Sequence, residues 1–309
     1  MRQIVLLAAC LVTSAASARA ASFDCTKAVT VVERTICADP GLSKSDDMLA
    51  STYALALEAS LYPAALRAAQ QQWLADRDKL SDVEALRGTY RERIQALGEA
   101  RAKWQRARQP VSMDEARTRC VTSPDALSDD GCRVDLFAAV PGAPTLTYHL
   151  QSYMDGKLRL GGGVAVFESM GDRLRPVAVL AVETAHFDVP RVVASPAGKL
   201  LVIPGHLEGT GNFNAEAVYL YESEHLQDVD TVSWLSDLQR RLPKGWGAWK
   251  GIYPDYRTLT ATTPLWQTGD GNCCPTAGRA DLRLRLHNRR LTIDSIEIIK
   301  GESAARQDR

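Results

Sequence analysis

The sequence predicts an α+β protein: an N-terminal all-α helical bundle followed by a mainly antiparallel β-rich domain, sandwich or barrel-like, with one helix. Three observations carry this. From Cys25 to about Arg108, apolar residues recur at three- and four-residue spacing. Beyond Cys120 the period shortens to two, in a series of short segments separated by polar turns. Between the two, residues 109–118 contain Pro110 and follow neither period, so they read as a linker.

A leader stands before the helical part. Met1-Arg2-Gln3 is a short positive start, Ile4 to Ala16 is mostly apolar, and Ala18-Arg19-Ala20 fits a small-x-small cleavage pattern. The apolar run is too short for a bilayer, which takes roughly 20 such residues. Residues 1–20 therefore read as a signal peptide, and the mature chain is expected in the periplasm or secreted. Leu7-Ala8-Ala9-Cys10 also matches a bacterial lipobox, which would make a lipoprotein acylated at Cys10. The stretch between Gln3 and Cys10 is short for an apolar core, which favours cleavage after Ala20.

Composition narrows the classes. The chain has 309 residues, enough for two ordinary domains, and balances 37 basic against 37 acidic side chains. Scattered, balanced charge gives no footprint for nucleic acid or an anionic membrane. No later stretch approaches the length of a transmembrane segment. Setting Cys10 aside, the cysteines are Cys25, Cys37, Cys120, Cys132, Cys273 and Cys274. An even set in an exported chain reads as disulfides. Cys25 and Cys37 flank one short element, and Cys120 and Cys132 flank a polar loop. The adjacent Cys273 and Cys274 then either bond to each other or reach Cys120 and Cys132, and the sequence leaves both arrangements open. Zinc is disfavoured, because no histidine stands at ligand spacing from a cysteine pair.

The helical elements follow from their caps. Thr30-x-x-Glu33 is a capping box opening a short helix that stops before Pro40-Gly41. Ser43-x-x-Asp46 reads as the start of a second helix, with Leu49, Tyr53 and Leu57 on one face. Pro63 suits the first position of a third, whose face carries Leu66, Trp73 and Leu74. Ser81-x-x-Glu84 reads as a further capping box, before a long helix with Val83, Tyr90, Leu97 and Trp104 at seven-residue intervals. These stripes belong to a bundle interior.

Segments 133–140, 144–154, 162–169, 174–182, 199–204, 215–222, 257–263, 280–287 and 290–298 read as strands. Leu282, Leu284 and Leu286 alternate with charged residues, which marks a strand with one wet face. His287-Asn288-Arg289-Arg290 reads as a hairpin link. One helix interrupts the series at 231–242, with Trp234, Leu235, Leu238 and Leu242 on one face, before Pro243 and Gly245.

Several residues of the helical half form a distinctive pattern. Phe23-Asp24-Cys25 is followed by Val32-Glu33-x-x-Ile36-Cys37-x-Asp39, then Leu42, Asp46, Leu49 and Tyr53. Trp73-x-x-x-Arg77-Asp78 and Leu86-x-x-x-Tyr90-x-x-Arg93-Ile94 complete it. This pattern resembles the N-terminal domain of the lysozyme-inhibitor LprI family, over a domain placed at 21–108. The family usually carries two more cysteines after the Arg-Asp step, at positions corresponding to Leu80 and Ala85 here. Their joint absence implies that they pair with each other and that Cys25 pairs with Cys37. The resemblance implies inhibition of lysozyme, a glycosidase with two carboxylates in its cleft. Asp24, Glu33, Asp39 and Asp46 could face a cationic partner, but helix capping and solvated surface are the favoured account of them. Residues 119–300, the β-rich domain, and the tail at 301–309 carry no such resemblance.

The β-rich half offers its own candidates. Trp246, Trp249, Tyr253 and Tyr256 crowd a glycine-bearing loop, with Trp266 beyond it. Exposed aromatic faces of this kind stack on sugar rings or on a protein partner, while burial over the sheet is the plainer alternative. Asp270-Gly271-Asn272-Cys273-Cys274 would be a redox or nucleophile site only with a lowered thiol pKa, and a structural cystine is favoured. His206 and Glu208 are two ligands at most, too few for a metal site. Gly161-Gly162-Gly163 lacks the strand-to-helix setting of a phosphate loop. No cofactor motif and no catalytic signature are present. The expectation is an exported, non-enzymatic binding protein of the bacterial cell envelope that inhibits lysozyme or contacts peptidoglycan glycan. The alternative is an exported hydrolase or thiol-redox enzyme centred on the C-terminal domain.

Overall fold

The computed structural model describes residues 21–121, 131–222 and 225–301. The leader with Cys10, and the tail beyond residue 301, lie outside the described residues. The element order is a single 3-10 turn at Cys25–Lys27, then α1 (Val31–Ala38), α2 (Pro40–Ala59), α3 (Pro63–Arg77) and α4 (Val83–Ala107). Next come β1 (Val111–Ser112), α5 (Met113–Thr118), β2 (Cys132–Val140), β3 (Ala143–Asp155), β4 (Leu158–Met170) and β5 (Arg173–Glu183). The chain continues through β6 (Ala185–Phe187), β7 (Arg191–Ser195), β8 (Gly198–Ile203), β9 (Gly205–Leu207), β10 (Ala217–Glu222) and β11 (His225–Asp228). It ends with α6 (Ser233–Arg241), β12 (Trp246–Gly247), β13 (Thr260–Gln267), β14 (Gly278–His287) and β15 (Arg290–Lys300). The predicted class is what the structure shows: helices first, then an antiparallel β-rich part with one helix.

The described chain divides into two compact units, one made of residues up to 54 together with 72–97, the other of 55–71 together with 98 onward. In the first, the Thr30 hydroxyl accepts from the Glu33 amide while the Glu33 carboxylate accepts from the Thr30 amide, so the capping box is complete. The Cys25–Cys37 disulfide ties the 3-10 turn to the end of α1. Val32, Ile36, Leu42, Leu49, Leu86, Tyr90 and Leu97 fill the interior. Two caps differ from expectation. The α2 helix starts at Pro40 rather than Ser43, because Asp39 Oδ1 accepts from the Leu42 amide at 2.9 Å and proline suits the first turn. Ser43 is buried and its hydroxyl donates to the Ile36 carbonyl at 2.7 Å. At α4 the cap is Asp82, which accepts from the Ala85 amide, and not Ser81.

The second unit is a stack of antiparallel sheets. Sheet one runs β1-β5-β4-β3-β2, sheet two β11-β10-β8-β7, and sheet three β12-β13-β14-β15, with β6 and β9 as a separate pair. Side-chain alternation shows how they stack. Leu201, Ile203, Ala217 and Tyr219 of sheet two pack with Leu146, Val164, Val166 and Leu180 of sheet one. The opposite face of sheet two, Leu200, Val202 and Val218, packs with Leu265, Leu282, Leu284 and Leu291 of sheet three and with Trp234 and Leu238 of α6. Sheet two is therefore the middle layer, which is why Leu200-Leu201-Val202-Ile203 is continuously apolar. Sheet one is also covered on its other face: Ala165, Phe167 and Val179 pack with Leu61, Trp104 and Ala116. Arg279, Arg283 and Arg285 keep the outer face of β14 wet.

Three further differences have simple causes. Residues 109–118, read as a linker, carry β1 and α5. Val111 pairs with Leu174, and Ser112 with Glu115 forms a capping box that a short span had hidden from periodicity. The strand expected at 257–263 begins at Thr260, because Leu259 takes φ +54 in a turn closed by the Asp255 amide on the Thr260 carbonyl, and it continues through Pro264. The short strands β6, β7, β9, β11 and β12 have too few residues to show a period. The hairpin at 287–290 is as expected: Asn288 and Arg289 take φ +48 and +58, the left-handed pair of a two-residue turn.

Candidate functional site

The acidic residues singled out in the helical unit are engaged within it. Asp24 caps the 3-10 turn, Glu33 closes the capping box, and Asp39 caps α2 and pairs with Arg87. Asp46 is buried and accepts from the Ser22 amide and from the Tyr90 hydroxyl at 2.7 Å. Trp73 packs edge-on against Tyr90, with the Arg77 guanidinium 5.7 Å from its ring centre. Among the large apolar residues of this unit, Val29 before α1, Val31 at its start and Met48 in α2 face solvent.

In the β-rich unit three loops meet. The first holds residues 209–214, the second 245–256, the third 267–276. Asn214 zips the first to the second: its side-chain oxygen accepts from the Ile252 amide at 2.9 Å, and its side-chain nitrogen donates to the Ile252 carbonyl at 2.6 Å. The Gly251 amide donates to the Gly211 carbonyl at 3.0 Å, and the Tyr253 hydroxyl to the Asn212 carbonyl. Only glycine fits at 251, since a Cβ there would lie 2.1 Å from the Asn212 carbonyl oxygen. Asn272 donates to the Thr210 hydroxyl and brings in the third loop. That loop is closed by Asp270, which accepts from the Gln267 and Thr276 amides and from the Thr276 hydroxyl. These bonds hold the Asp270 carboxyl below its usual range.

The predicted aromatic residues separate by burial. Trp249 and Tyr253 are 37 % and 40 % exposed. Trp249 stacks on buried Trp266, with ring centres 5.7 Å apart. Trp246 is half-buried, paired through β12 to Gln267. Tyr256 does not belong to this surface. It is 6 % exposed, and its hydroxyl donates to Glu216 at 2.6 Å. A tyrosine hydroxyl turned inward needs a partner, and Glu216 supplies one. Phe213, which the sequence pattern does not single out, is 51 % exposed on the same loop cluster.

Between these loops, the start of α3 and α6 lies a cavity of about 340 Å³. Ala68, Leu235, Ala248 and Ile252 supply apolar wall, Glu216, Asn214, Thr231 and Gln239 polar groups, and Phe213 and Lys250 are among the other lining residues. Burial pushes the Glu216 carboxyl up to about 7, against the hydrogen bonds from Tyr256 and Asn214 that favour its charged form. A neighbouring groove of about 400 Å³ is polar, but its cations are already matched: Arg67 with Asp228, Arg240 with Asp237, and Arg290 with Asp230.

The structure joins Cys120 to Cys132 and Cys273 to Cys274. The second bond lies in the third loop, so the adjacent cysteines hold each other rather than stapling the domain ends. Glu208 is occupied by Arg159 and His186, and no cluster of metal-ligating residues occurs among the described residues. The 161–163 glycine run lies inside β4. Among the described residues no helix is long and apolar enough to cross a membrane.

Fold and site together define a disulfide-bonded helical unit followed in the chain by a stack of antiparallel sheets that carries a cavity lined in part by Phe213. Residues 24–110 match the family model of the lysozyme inhibitor LprI, which confirms the resemblance seen in the helical half. The match covers less than a third of the chain. A comparison with curated proteins finds no match.

Proposed function

We propose that this chain is an exported, non-catalytic binding protein of the bacterial cell envelope, and that its helical unit inhibits lysozyme. The family match over residues 24–110 is the observation that carries this reading. The geometry supports it: the pattern residues Asp46, Arg77 and Tyr90 hold the unit together from inside, so they make a scaffold for whatever surface meets the enzyme. The disulfides fit the oxidising compartment that the leader sequence points to. The test is lysis of cell walls by lysozymes of several classes, with and without the purified protein. Slowing at near-stoichiometric ratio supports the reading, and no slowing against any class removes it.

A second reading, contact with peptidoglycan glycan, is favoured by the exposed Trp249, Tyr253 and Phe213 on one loop cluster, Phe213 also lining the cavity. Sedimentation with purified peptidoglycan tests it. Wild type is expected in the pellet and Trp249→Ala in reduced amount. Wild type that stays in the supernatant removes this reading and leaves the first untouched.

A further inference from the structure

We infer that the cavity beside Glu216 is a subsite for a sugar bearing an acylamino group, such as an N-acetylhexosamine, with the sugar ring lying on Phe213. This rests on the glycan-contact reading and names the chemistry that the site would recognise.

The lining sets three requirements on an occupant. First, Glu216 offers an acceptor. Its Oε1 already takes the Tyr256 hydroxyl and Asn214, while Oε2 receives no hydrogen bond among the described residues. Second, Lys250 offers a donor. Its ammonium makes no hydrogen bond or ion pair among the described residues and stands 5.8 Å from the Trp266 ring centre. Third, Ala68, Leu235 and Ile252 present a surface with no polar side-chain atoms. An acylamino group meets all three at once: N–H to the carboxylate, C=O to the ammonium, methyl to the apolar wall.

The rim identifies the body that carries this group. The Phe213 ring packs against Gly211, where a Cβ would come within 2.3 Å of it, so the bare glycine makes room for a ring that stays 51 % exposed. Such a ring takes the apolar side of a pyranose. A peptide also carries N–H and C=O, but an extended peptide docks by pairing with an open backbone edge. Here the edges of the two flanking loops are already paired, Asn214 with Ile252 and Gly251 with Gly211.

The experiment titrates the full chain with β-1,4-linked N-acetylglucosamine trisaccharide, followed by calorimetry and tryptophan fluorescence. Cellotriose, of the same length but without acylamino groups, and an N-acetylated alanine dipeptide amide are the comparison ligands. The acetylated trisaccharide is expected to bind at least about tenfold tighter than cellotriose. Phe213→Ala and Glu216→Ala are each expected to weaken it about tenfold, with unchanged circular dichroism. Phe213 is exposed, so its loss does not threaten the fold, whereas Glu216→Ala strands the buried Tyr256 hydroxyl; if its circular dichroism departs from wild type, Phe213→Ala alone decides. Equal binding of cellotriose, preferential binding of the dipeptide, or wild-type affinity in both variants would overturn the inference. Sedimentation of wild type with peptidoglycan stays positive if only the inference fails, and turns negative if the glycan reading fails with it.

Discussion

Arg77 and Tyr90 are joined inside the helical unit: Arg77 Nη1 donates to the tyrosine hydroxyl at 3.0 Å, and that hydroxyl donates onward to Asp46. The chain of donors ends at a carboxylate that also takes the Ser22 amide, so α2, α3, α4 and the segment before the 3-10 turn meet at one buried relay. Arg77 and Asp46 are each nearly fully buried, their charged atoms 3.8 Å apart. Removing one partner of such a pair strands the other. Arg77→Met is therefore expected to destabilise this unit by about 3–5 kcal/mol. Asp46→Asn keeps an acceptor for Tyr90 and should lose less. Urea unfolding followed by far-ultraviolet circular dichroism measures both, and an Arg77→Met midpoint equal to wild type would contradict the relay's role.

The Cys25–Cys37 disulfide closes a loop with a sequence separation of 12. It constrains a stretch with little core of its own, since the 3-10 turn contributes no buried residue. Replacing both cysteines by serine is expected to cost about 3 kcal/mol. The same variant bears on the lysozyme reading: the exposed Val29 and Val31 sit inside the loop that the bond closes, so inhibition should fall with loop order while Tyr90 stays buried. A variant as stable and as inhibitory as wild type would remove the bond from both roles.

The α+β class and most elements longer than six residues were legible in the sequence, because period and burial coincide there. Leu282, Leu284 and Leu286 show a half-wet strand directly, and Tyr90, Leu97 and Trp104 a buried stripe. Caps were legible only where a single residue could serve. Asp39 beside Ser43, and Asp82 beside Ser81, present rival oxygens within a few residues, and local geometry chose the carboxylates. The middle position of sheet two was implicit in Leu200-Leu201-Val202-Ile203, but a short apolar run does not say what covers each face. The cavity was not legible. Its wall joins Ala68, Asn214, Leu235 and Ile252, which lie far apart along the chain, and its acid, Glu216, is one carboxylate among many in the sequence.

His149 gives the β-rich unit a sensitivity to acid. It is fully buried, with Nδ1 2.7 Å from the Ala116 carbonyl oxygen and Nε2 2.9 Å from Gln151 Oε1. Burial lowers its pKa below the ordinary 6.5, and the two acceptors only partly offset this. The folded state thus binds the proton more weakly than the unfolded state. Stability attributable to this residue is complete above about 6.5 and declines as pH falls below it. His149→Gln should flatten that acid limb, read as the urea midpoint at a series of pH values. An unchanged acid limb would assign the sensitivity to other groups.

Glu216 works in the opposite direction within an overlapping window. Its folded pKa is raised from 4.5 to about 7, so between these values the folded state holds a proton that the unfolded state has released. Its contribution is complete below 4.5 and is lost as pH rises through about 7. In wild type the two residues oppose each other where their windows overlap, below 6.5 and above 4.5, His149 favouring the upper end and Glu216 the lower. Single variants separate them. Glu216→Gln keeps an acceptor for the Tyr256 hydroxyl and removes the titration, so its midpoint should exceed wild type above pH 7 and converge with it near pH 4.5. The His149→Gln variant should then expose the Glu216 slope alone, with stability falling as pH rises. If Glu216→Gln instead lowers the midpoint at alkaline pH, the charged carboxylate is stabilised where it stands, by Arg191 or another cation, and burial does not govern it.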